Sequence, residues 1–385
     1  MQVVVTGGGT GGHIYPALAV AQALQTDPDV ERVVYIGKNT GLERELSATA
    51  GIAFEGISFY GMPRGLNPIF PFRFLLWLLR LQQAKNHARK LLQEIHPQVV
   101  FGTGGYVSAP VLLAAKSLNI PYVVHEPDAE PGLTNRLLGR NARVITTSFP
   151  EGAERLKRKS SQDVIVTGNP IREGIGMMSR DTARERINAQ GGLLASNLNQ
   201  RLILLVTGGS QGSRRINTAV ARALPTLLNQ WKIAVIHLTG RSLYDETLAL
   251  LDTVNPALKH HPAYWVRPYA NDMEALLALA DMAVCRAGSL SLSEMYVCGI
   301  PTLLIPYPFA ASDHQRRNAQ ASTKAGASLY LEDANCTEAT FLETLRPLID
   351  YPDRRDAMHQ AALNLGHPRA TASLIECLKG IAHVI

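Results

Sequence analysis

The sequence predicts an α/β protein of two doubly wound domains, each a parallel sheet covered by helices on both faces. Three observations carry this expectation. Apolar runs of strand length alternate with segments of helical spacing, the βαβ pattern. The alternation lapses after residue 146 and restarts at 202. A glycine-rich signature, Thr-Gly-Gly-x-x-Gly, opens each series, as Thr6-Gly7-Gly8-Gly9-Thr10-Gly11-Gly12-His13 and as Thr207-Gly208-Gly209-Ser210-Gln211-Gly212.

In the first series the strand-like runs are 2–6, 32–36, 98–101, 121–125 and 143–146. Val3-Val4-Val5 leads into the first glycine loop, and helical spacing follows it, the layout of a strand, a tight loop and a helix N-terminus. Such loops receive phosphates, because glycine lets backbone N–H groups approach and the helix end adds partial positive charge. A third cluster, Gly102-Thr103-Gly104-Gly105-Tyr106, follows Val99-Val100-Phe101 and adds donors to the same sheet edge. Between these lies Ile69–Leu81, apolar nearly all round a helix, with Lys85, His87, Arg89 and Lys90 behind it. It is shorter than the roughly 20 apolar residues of a membrane span and carries Arg73 and Arg80. Two readings stand: a core helix between strands, or a surface patch dipping into a bilayer through Phe72, Phe74, Trp77 and Arg80. The hinge is expected near 165–175, at Thr167-Gly168-Asn169-Pro170, before a polar, strand-poor stretch from 176 to 200. The second series has strand-like runs at 202–206, 233–238, 281–285, 301–305 and 327–331.

A chain of 385 residues, 46% hydrophobic and 18% charged, is long enough for two cores and too apolar for extended disorder. Its net charge of +6 and pI near 9.1 favour an anionic partner without choosing among nucleic acid, acidic lipid and phosphorylated substrate. The four cysteines lack metal-ligand spacing and make no disulfide framework, and Met1 leads directly into the first strand without a secretory signal, so a reducing cytoplasm is expected.

Several chemistries find no support. Neither glycine loop is followed by the Lys-Ser/Thr of a nucleotide triphosphatase, and Glu31 precedes the second strand instead of ending it, as a dinucleotide fingerprint would require. No Asp-x-Asp diad stands among the motifs, so no obligate metal and no cofactor are expected. His13 closes the first loop at a helix start, where an imidazole can take a proton near neutral pH; the alternative is that it only binds a phosphate or caps the loop.

The first loop continues as His13-Ile14-Tyr15-Pro16-Ala17. It is followed by Gly104-Gly105-Tyr106-Val107-Ser108, His125-Glu126, Gly132-Leu133-Thr134-Asn135-Arg136, Gly168-Asn169-Pro170-Ile171-Arg172 and Gly208-Gly209-Ser210-Gln211-Gly212. Cys285-Arg286-Ala287-Gly288, Ser293-Glu294 and Asp313-His314-Gln315 complete the set. In these motifs, in their order and over most of its length, the chain resembles the MurG family of peptidoglycan glycosyltransferases. The resemblance implies a GT-B fold: two Rossmann-like doubly wound domains separated by a cleft. Residues 1–168 would form the acceptor- and membrane-facing domain and 169–385 the UDP-GlcNAc domain, with the last helix, about 366–385, packing back on the first.

The activity implied is an inverting transfer of GlcNAc from UDP-GlcNAc to the C4 hydroxyl of MurNAc in undecaprenyl-diphosphate-MurNAc-pentapeptide (lipid I), giving lipid II. The implied place is the cytoplasmic face of the bacterial plasma membrane, as a peripheral protein. Its partners would be UDP-GlcNAc, lipid I, an anionic membrane surface and cell-wall synthesis proteins, and no nucleic acid. Carried over residue by residue, Glu294 would bind the ribose, Gln315 the sugar hydroxyls, and Ser289 and Leu290 the diphosphate. Thr10, Gly11, Gly12, Asp128, Arg172, Ser210 and Ala270 would complete the donor side. Gly11, Gly12, His13, Gly104, Gly105, Tyr106, Thr134 and Asn135 would receive the acceptor, with His13 deprotonating the attacking hydroxyl. An ordinary helix start is the competing reading of Thr134 and Asn135. The chain departs from the family at Asp128, where asparagine is usual, at Arg316 after Gln315, and at Ala270, where an isoleucine commonly meets uracil. The competing functions are another GT-B enzyme, such as a diacylglycerol glycosyltransferase or a nucleotide-sugar epimerase, and a non-catalytic nucleotide- or nucleic-acid-binding protein. No basic helix with interleaved aromatics supports nucleic acid.

Overall fold

A computed structural model describes residues 1–63, 70–156, 163–172, 174–193 and 201–382; Ile69 and the end of the 176–200 stretch lie outside them. The chain forms two compact units, Met1–Arg172 with Arg369–Ile385, and Glu173–Pro368.

The first unit runs β1 (Gln2–Thr6), α1 (Gly11–Gln25), β2 (Arg32–Lys38), α2 (Leu42–Thr49), β3 (Ala53–Ile57), α3 (Phe70–Ile95), β4 (Val99–Gly102), α4 (Gly105–Ser117), β5 (Tyr122–Glu126), α5 (Leu133–Leu138), β6 (Val144–Thr147), α6 (Pro150–Leu156) and β7 (Asp163–Val166). The second unit follows as α7 (Arg180–Ala189), β8 (Ile203–Thr207), α8 (Arg214–Pro225), β9 (Ala234–Leu238), α9 (Tyr244–Val254), β10 (Tyr264–Arg267), α10 (Met273–Leu279), β11 (Met282–Cys285), α11 (Ser289–Val297), β12 (Thr302–Leu304), α12 (His314–Lys324), β13 (Ser328–Tyr330), α13 (Glu338–Leu345), α14 (Pro347–Asp350) and α15 (Pro352–Leu365). The final helix, α16 (Ala370–Ala382), belongs to the first unit.

Both sheets are parallel, in the orders β3-β2-β1-β4-β5-β6-β7 and β10-β9-β8-β11-β12-β13. Each begins at its centre, with β1 and β8, and the chain then crosses back beside that strand, at β4 and β11. That reversal leaves the loops after the two central strands side by side at their C-terminal ends, the switch point where doubly wound sheets bind ligands.

Central strands are buried on both faces and so read as continuous apolar runs. Val4, Val34, Val100 and Val124 pack with Ala88, Leu91 and Leu92 of α3 and Val107, Val111 and Leu112 of α4. Their neighbours Val3, Val5, Val33, Phe101 and Val123 face the other way, against Ala17, Val20 and Leu24 of α1 and Leu374 and Leu378 of α16. Three strands, β3, β7 and β10, fall outside the runs expected from the sequence, and all three are edge strands. β3 carries Glu55 and Gly56, β7 alternates exposed and half-buried residues, and β10 is four residues long between Pro262 and Pro268. An edge has one neighbour and needs no unbroken apolar sequence.

An Asp-x-Asp sequence does occur outside the motifs, at Asp27-Pro28-Asp29. Its carboxylates are engaged structurally: Lys379 Nζ of α16 lies 3.0 Å from Asp27 Oδ1 and also pairs with Asp29. The Asp29 N–H, then Lys379, holds the Asp27 carboxyl below its ordinary range.

Helix α3 divides in two. From Ala84 on it is a core helix, with Ala84, Ala88, Leu91, Leu92 and Ile95 buried. Before that, Phe72, Leu75, Leu76, Leu78 and Leu79 are exposed, Phe72 at 61%. Trp77, expected among the membrane contacts, is half-buried: its indole donates to the Tyr60 carbonyl at 3.1 Å and its ring lies 5.8 Å from those of Phe59 and Phe74. No helix of the described residues is long and apolar enough to cross a membrane.

Candidate functional site

In the first unit the site is built on the ends of β1, β4 and β5. Parallel pairing sets Thr6 opposite Gly102, and the Thr103 N–H donates to the Thr6 carbonyl at 3.0 Å, so the first and third glycine clusters are joined at their roots. Gly105, at φ +76°, makes a close approach that only glycine allows: a Cβ there would lie 1.9 Å from the Gly8 carbonyl oxygen. Gly104, also left-handed at φ +97°, precedes it as the N-cap of α4.

His13 sits in the first turn of α1, after Thr10, Gly11 and Gly12. Thr103 holds it twice. The His13 Nδ1–H donates to the Thr103 carbonyl at 2.9 Å, and the Thr103 hydroxyl donates to the His13 carbonyl at 2.6 Å. With Nδ1 carrying the proton, Nε2 is the basic nitrogen of the neutral ring, a tautomer assigned from the bonding. The N-caps of α1 and α4, Thr10 and Gly104, make no side-chain cap bond, so neither cap residue takes up a first-turn N–H of its helix.

Tyr106 lies on α4 with its ring 6.3 Å from that of Phe59, and the Thr134 hydroxyl donates to the Gly105 carbonyl at 3.0 Å. Asn135 is buried: its Nδ2 donates to the His125 carbonyl at 3.0 Å and to Glu126 Oε2 at 2.9 Å, so it fastens α5 to the end of β5. Its Oδ1 has no hydrogen-bond partner among the described residues and lies beside Gly104. Glu126, fully buried, also accepts the N–H groups of Asp128 and Gly132, each at 3.0 Å. Burial, and then the charge of Asp128, pushes its carboxyl up against the pull of those donors. Thus Asp128, the departure from the family, presses on a buried acid. His125 behind it is neutral, lowered to about 4 by burial, with Nε2 3.1 Å from Asn169 Oδ1 and Nδ1 3.0 Å from the Thr146 hydroxyl. Arg172 is exposed at the end of this unit's main segment.

Two residues outside every motif support the first loop. Glu43 of α2 is 2% exposed and its Oε1 accepts the Gly9 N–H at 3.3 Å. The Tyr35 hydroxyl on β2 donates to the Gly7 carbonyl at 2.7 Å. Neither carries a sequence signal, since Glu43 reads as a first-turn helix acid and Tyr35 as a strand residue.

The second unit presents its own residues at the ends of β8, β11 and β12. Ser210 is exposed in the loop after β8. That loop serves its own helix: the Ser213 hydroxyl caps α8, accepting the Ile216 N–H at 3.3 Å. By contrast α11, capped by Gly288, has no side-chain cap at its N-terminus, where Ser289 and Leu290 stand. Glu294, on the same helix, is 4% exposed. Asn318 of α12 donates to the Ala287 carbonyl at 3.1 Å, tying that helix to the motif before α11. Gln315 opens α12 behind two residues in the left-handed region, Ser312 at φ 54° and Asp313 at φ 56°. Non-glycine residues pay for that conformation with strain, which clusters at functional sites. Gln315 Oε1 accepts the Tyr307 N–H at 2.9 Å. Arg316 pairs with Asp313 and Glu332, each at 3.2 Å, and Ala270 is half-buried just past β10. Among the described residues no three His, Cys, Asp or Glu side chains gather as a metal site.

Comparisons with known proteins agree with this architecture. Residues 3–147 match the glycosyltransferase family 28 N-terminal domain and 203–374 the family 28 C-terminal domain. A protein of Halothermothrix orenii, UDP-N-acetylglucosamine--N-acetylmuramyl-(pentapeptide) pyrophosphoryl-undecaprenol N-acetylglucosamine transferase, is 39% identical over 382 residues, with 99% of each chain covered. The protein of the same name from Desulforamulus reducens is 34% identical over 381 residues, again with 99% of each covered. The crystal structure of Acinetobacter baumannii MurG matches with a TM-score of 0.74 at 26% identity, covering 98% of this chain and 99% of that one. With both units doubly wound, and with relatives alike from end to end, the chain belongs to glycosyltransferase family 28 and has the GT-B fold.

Proposed function

We propose that this protein is an inverting hexosyltransferase that moves GlcNAc from UDP-GlcNAc to the C4 hydroxyl of MurNAc in lipid I, giving lipid II for peptidoglycan. The observation that carries the chemistry is the double hold of Thr103 on His13, which fixes the ring and makes Nε2 the basic nitrogen of its neutral form. His13 Nε2 takes the proton of the C4 hydroxyl as that oxygen bonds to the anomeric carbon of GlcNAc. The bond from that carbon to the diphosphate breaks, UDP leaves with the electron pair, and the α-linked donor becomes a β-linked product. The acceptor diphosphate lies against the amides of Gly11, Gly12, Gly104 and Gly105, with Tyr106 and Thr134 beside it. On the donor side the N-terminus of α11 receives the leaving diphosphate, Glu294 accepts from the ribose hydroxyls, and Gln315 reads the sugar. Ser210 and Ala270 border that side within the second unit. Backbone amides and helix ends carry the charge in place of an obligate metal, so EDTA leaves the rate unchanged.

The enzyme works as a peripheral protein at the cytoplasmic face of the plasma membrane. Phe72, Leu75 and Leu79 dip into the bilayer while Arg73, Arg80 and Arg89 meet anionic headgroups. The test is product analysis after mixing the protein with radiolabelled UDP-GlcNAc and either a lipid I analogue or diacylglycerol. Label in a disaccharide lipid from the first alone is expected. Transfer to diacylglycerol, or epimerised nucleotide sugar without transfer, overturns the reading.

A further inference from the structure

Arg286 stands between β11 and α11 with its side chain 13% exposed, and its guanidinium is spent on the protein. Nη2 donates to the Ser213 hydroxyl at 2.7 Å, and Nη1 donates to the carbonyls of Ile305 and Pro306 at 2.9 Å each. Asp333, itself 14% exposed, pairs with it at 2.6 Å, and the guanidinium carbon lies 5.7 Å from the Tyr307 ring centroid. One planar, five-donor group therefore ties the end of the second glycine loop to the segment after β12. A lysine ammonium, a compact point charge, cannot span these directions.

That segment has a specific task. The Pro306–Tyr307 peptide supplies the N–H that Gln315 Oε1 accepts. With its oxygen occupied by the Tyr307 N–H, the Gln315 amide is held in one orientation, and the end left for a ligand is its NH2 group, a donor. Arg286 grips the carbonyl of the same peptide, that of Pro306, whose other end is the Tyr307 N–H. A peptide is planar and rigid, so fixing its oxygen fixes the direction of its N–H.

Resting on the donor reading above, we propose that Arg286 is a positioning residue for the donor sugar: it acts through the Pro306–Tyr307 peptide on the orientation of Gln315, and does not itself contact the nucleotide diphosphate. The sugar is then recognised through Gln315 donors, while the uridine diphosphate is held by other groups.

The test is calorimetric titration of the full chain with UDP and with UDP-GlcNAc. R286K weakens UDP-GlcNAc binding about tenfold, the worth of one well-placed hydrogen bond, and leaves UDP binding within about twofold. Because the effect runs through Gln315, the double variant R286K/Q315A binds UDP-GlcNAc no worse than Q315A alone. D333N, which keeps the bonds to Ser213 and the two carbonyls, shows a smaller loss than R286K and serves if R286K is poorly folded. Equal weakening of UDP and UDP-GlcNAc means direct contact with the nucleotide and overturns the proposal, as do additive losses in the double variant. An unsubstituted chain that binds neither ligand sinks the donor reading itself, and the proposal with it.

Discussion

Thr103 and His13 are ninety residues apart in the chain and bound twice, ring Nδ1 to carbonyl at 2.9 Å and hydroxyl to carbonyl at 2.6 Å. The pair welds the first helix turn of α1 to the end of β4 and leaves the imidazole one tautomer. A histidine so held can accept a proton without first turning.

His13→Ala is therefore expected to lower kcat by about 10²–10⁴, the usual worth of a positioned acid–base group, with saturating donor and acceptor. Thr103→Val, which keeps the carbonyl and loses the hydroxyl, lies between. Near-normal turnover in His13→Ala would confine this residue to a loop-capping role.

The exposed start of α3 separates membrane contact from folding. Leu75 and Leu79 are each 55% exposed, so L75Q/L79Q changes stability by no more than about 0.5 kcal/mol per site while cutting co-sedimentation with anionic vesicles. Leu92, 1% exposed on the same helix, behaves oppositely: Leu92→Ala costs about 2–5 kcal/mol and leaves vesicle binding of the folded fraction intact. Undiminished vesicle binding by L75Q/L79Q rules this surface out.

Among the described residues each unit buries a neutral histidine, His125 in the first and His237 in the second, and that predicts how acid acts. Burial lowers His237 to about 3, with Nε2 3.1 Å from Asn217 Oδ1, and lowers His125 to about 4. The folded values lie below the unfolded value of about 6.5, so the unfolded chain takes up protons first. Stability is whole above pH 6.5 and falls as pH drops toward 4 and 3, by about 2 kcal/mol per histidine at pH 5. Glu126, raised in the fold, works in the opposite direction beside His125, which makes His237 the cleaner probe. Urea midpoints of the unsubstituted protein should fall between pH 7 and 5, and His237→Gln should flatten that slope. An unchanged slope in the variant removes His237 as the cause.

Much of the fold was legible because the central strands of both sheets are covered on two faces. Such strands must be apolar throughout, and Val3-Val4-Val5 and Leu202-Ile203-Leu204-Leu205-Val206 say so directly. The edges β3, β7 and β10 were not legible, since one neighbour and a solvated side leave polar residues and glycine tolerable there. The glycine loops announced themselves for the same kind of reason: Gly105 at φ +76° against the Gly8 carbonyl admits no other residue.

By itself, then, the sequence determined two doubly wound units, the loops at their switch points and the motifs of family 28, because backbone geometry and two-sided burial restrict residue type locally. Only the tertiary structure decided which side chains hold those loops: Thr103 on His13, Glu43 under Gly9, Arg286 on the peptide that orients Gln315. It also decided that α3 is core at one end and exposed at the other, and that the second glycine loop caps its own helix through Ser213. The holds of Thr103 on His13, Glu43 on Gly9 and Arg286 on the Pro306 carbonyl are contacts across 90, 34 and 20 residues of chain, and the residue types they use fit equally well elsewhere; the partner becomes specific only when the fold brings the two ends together.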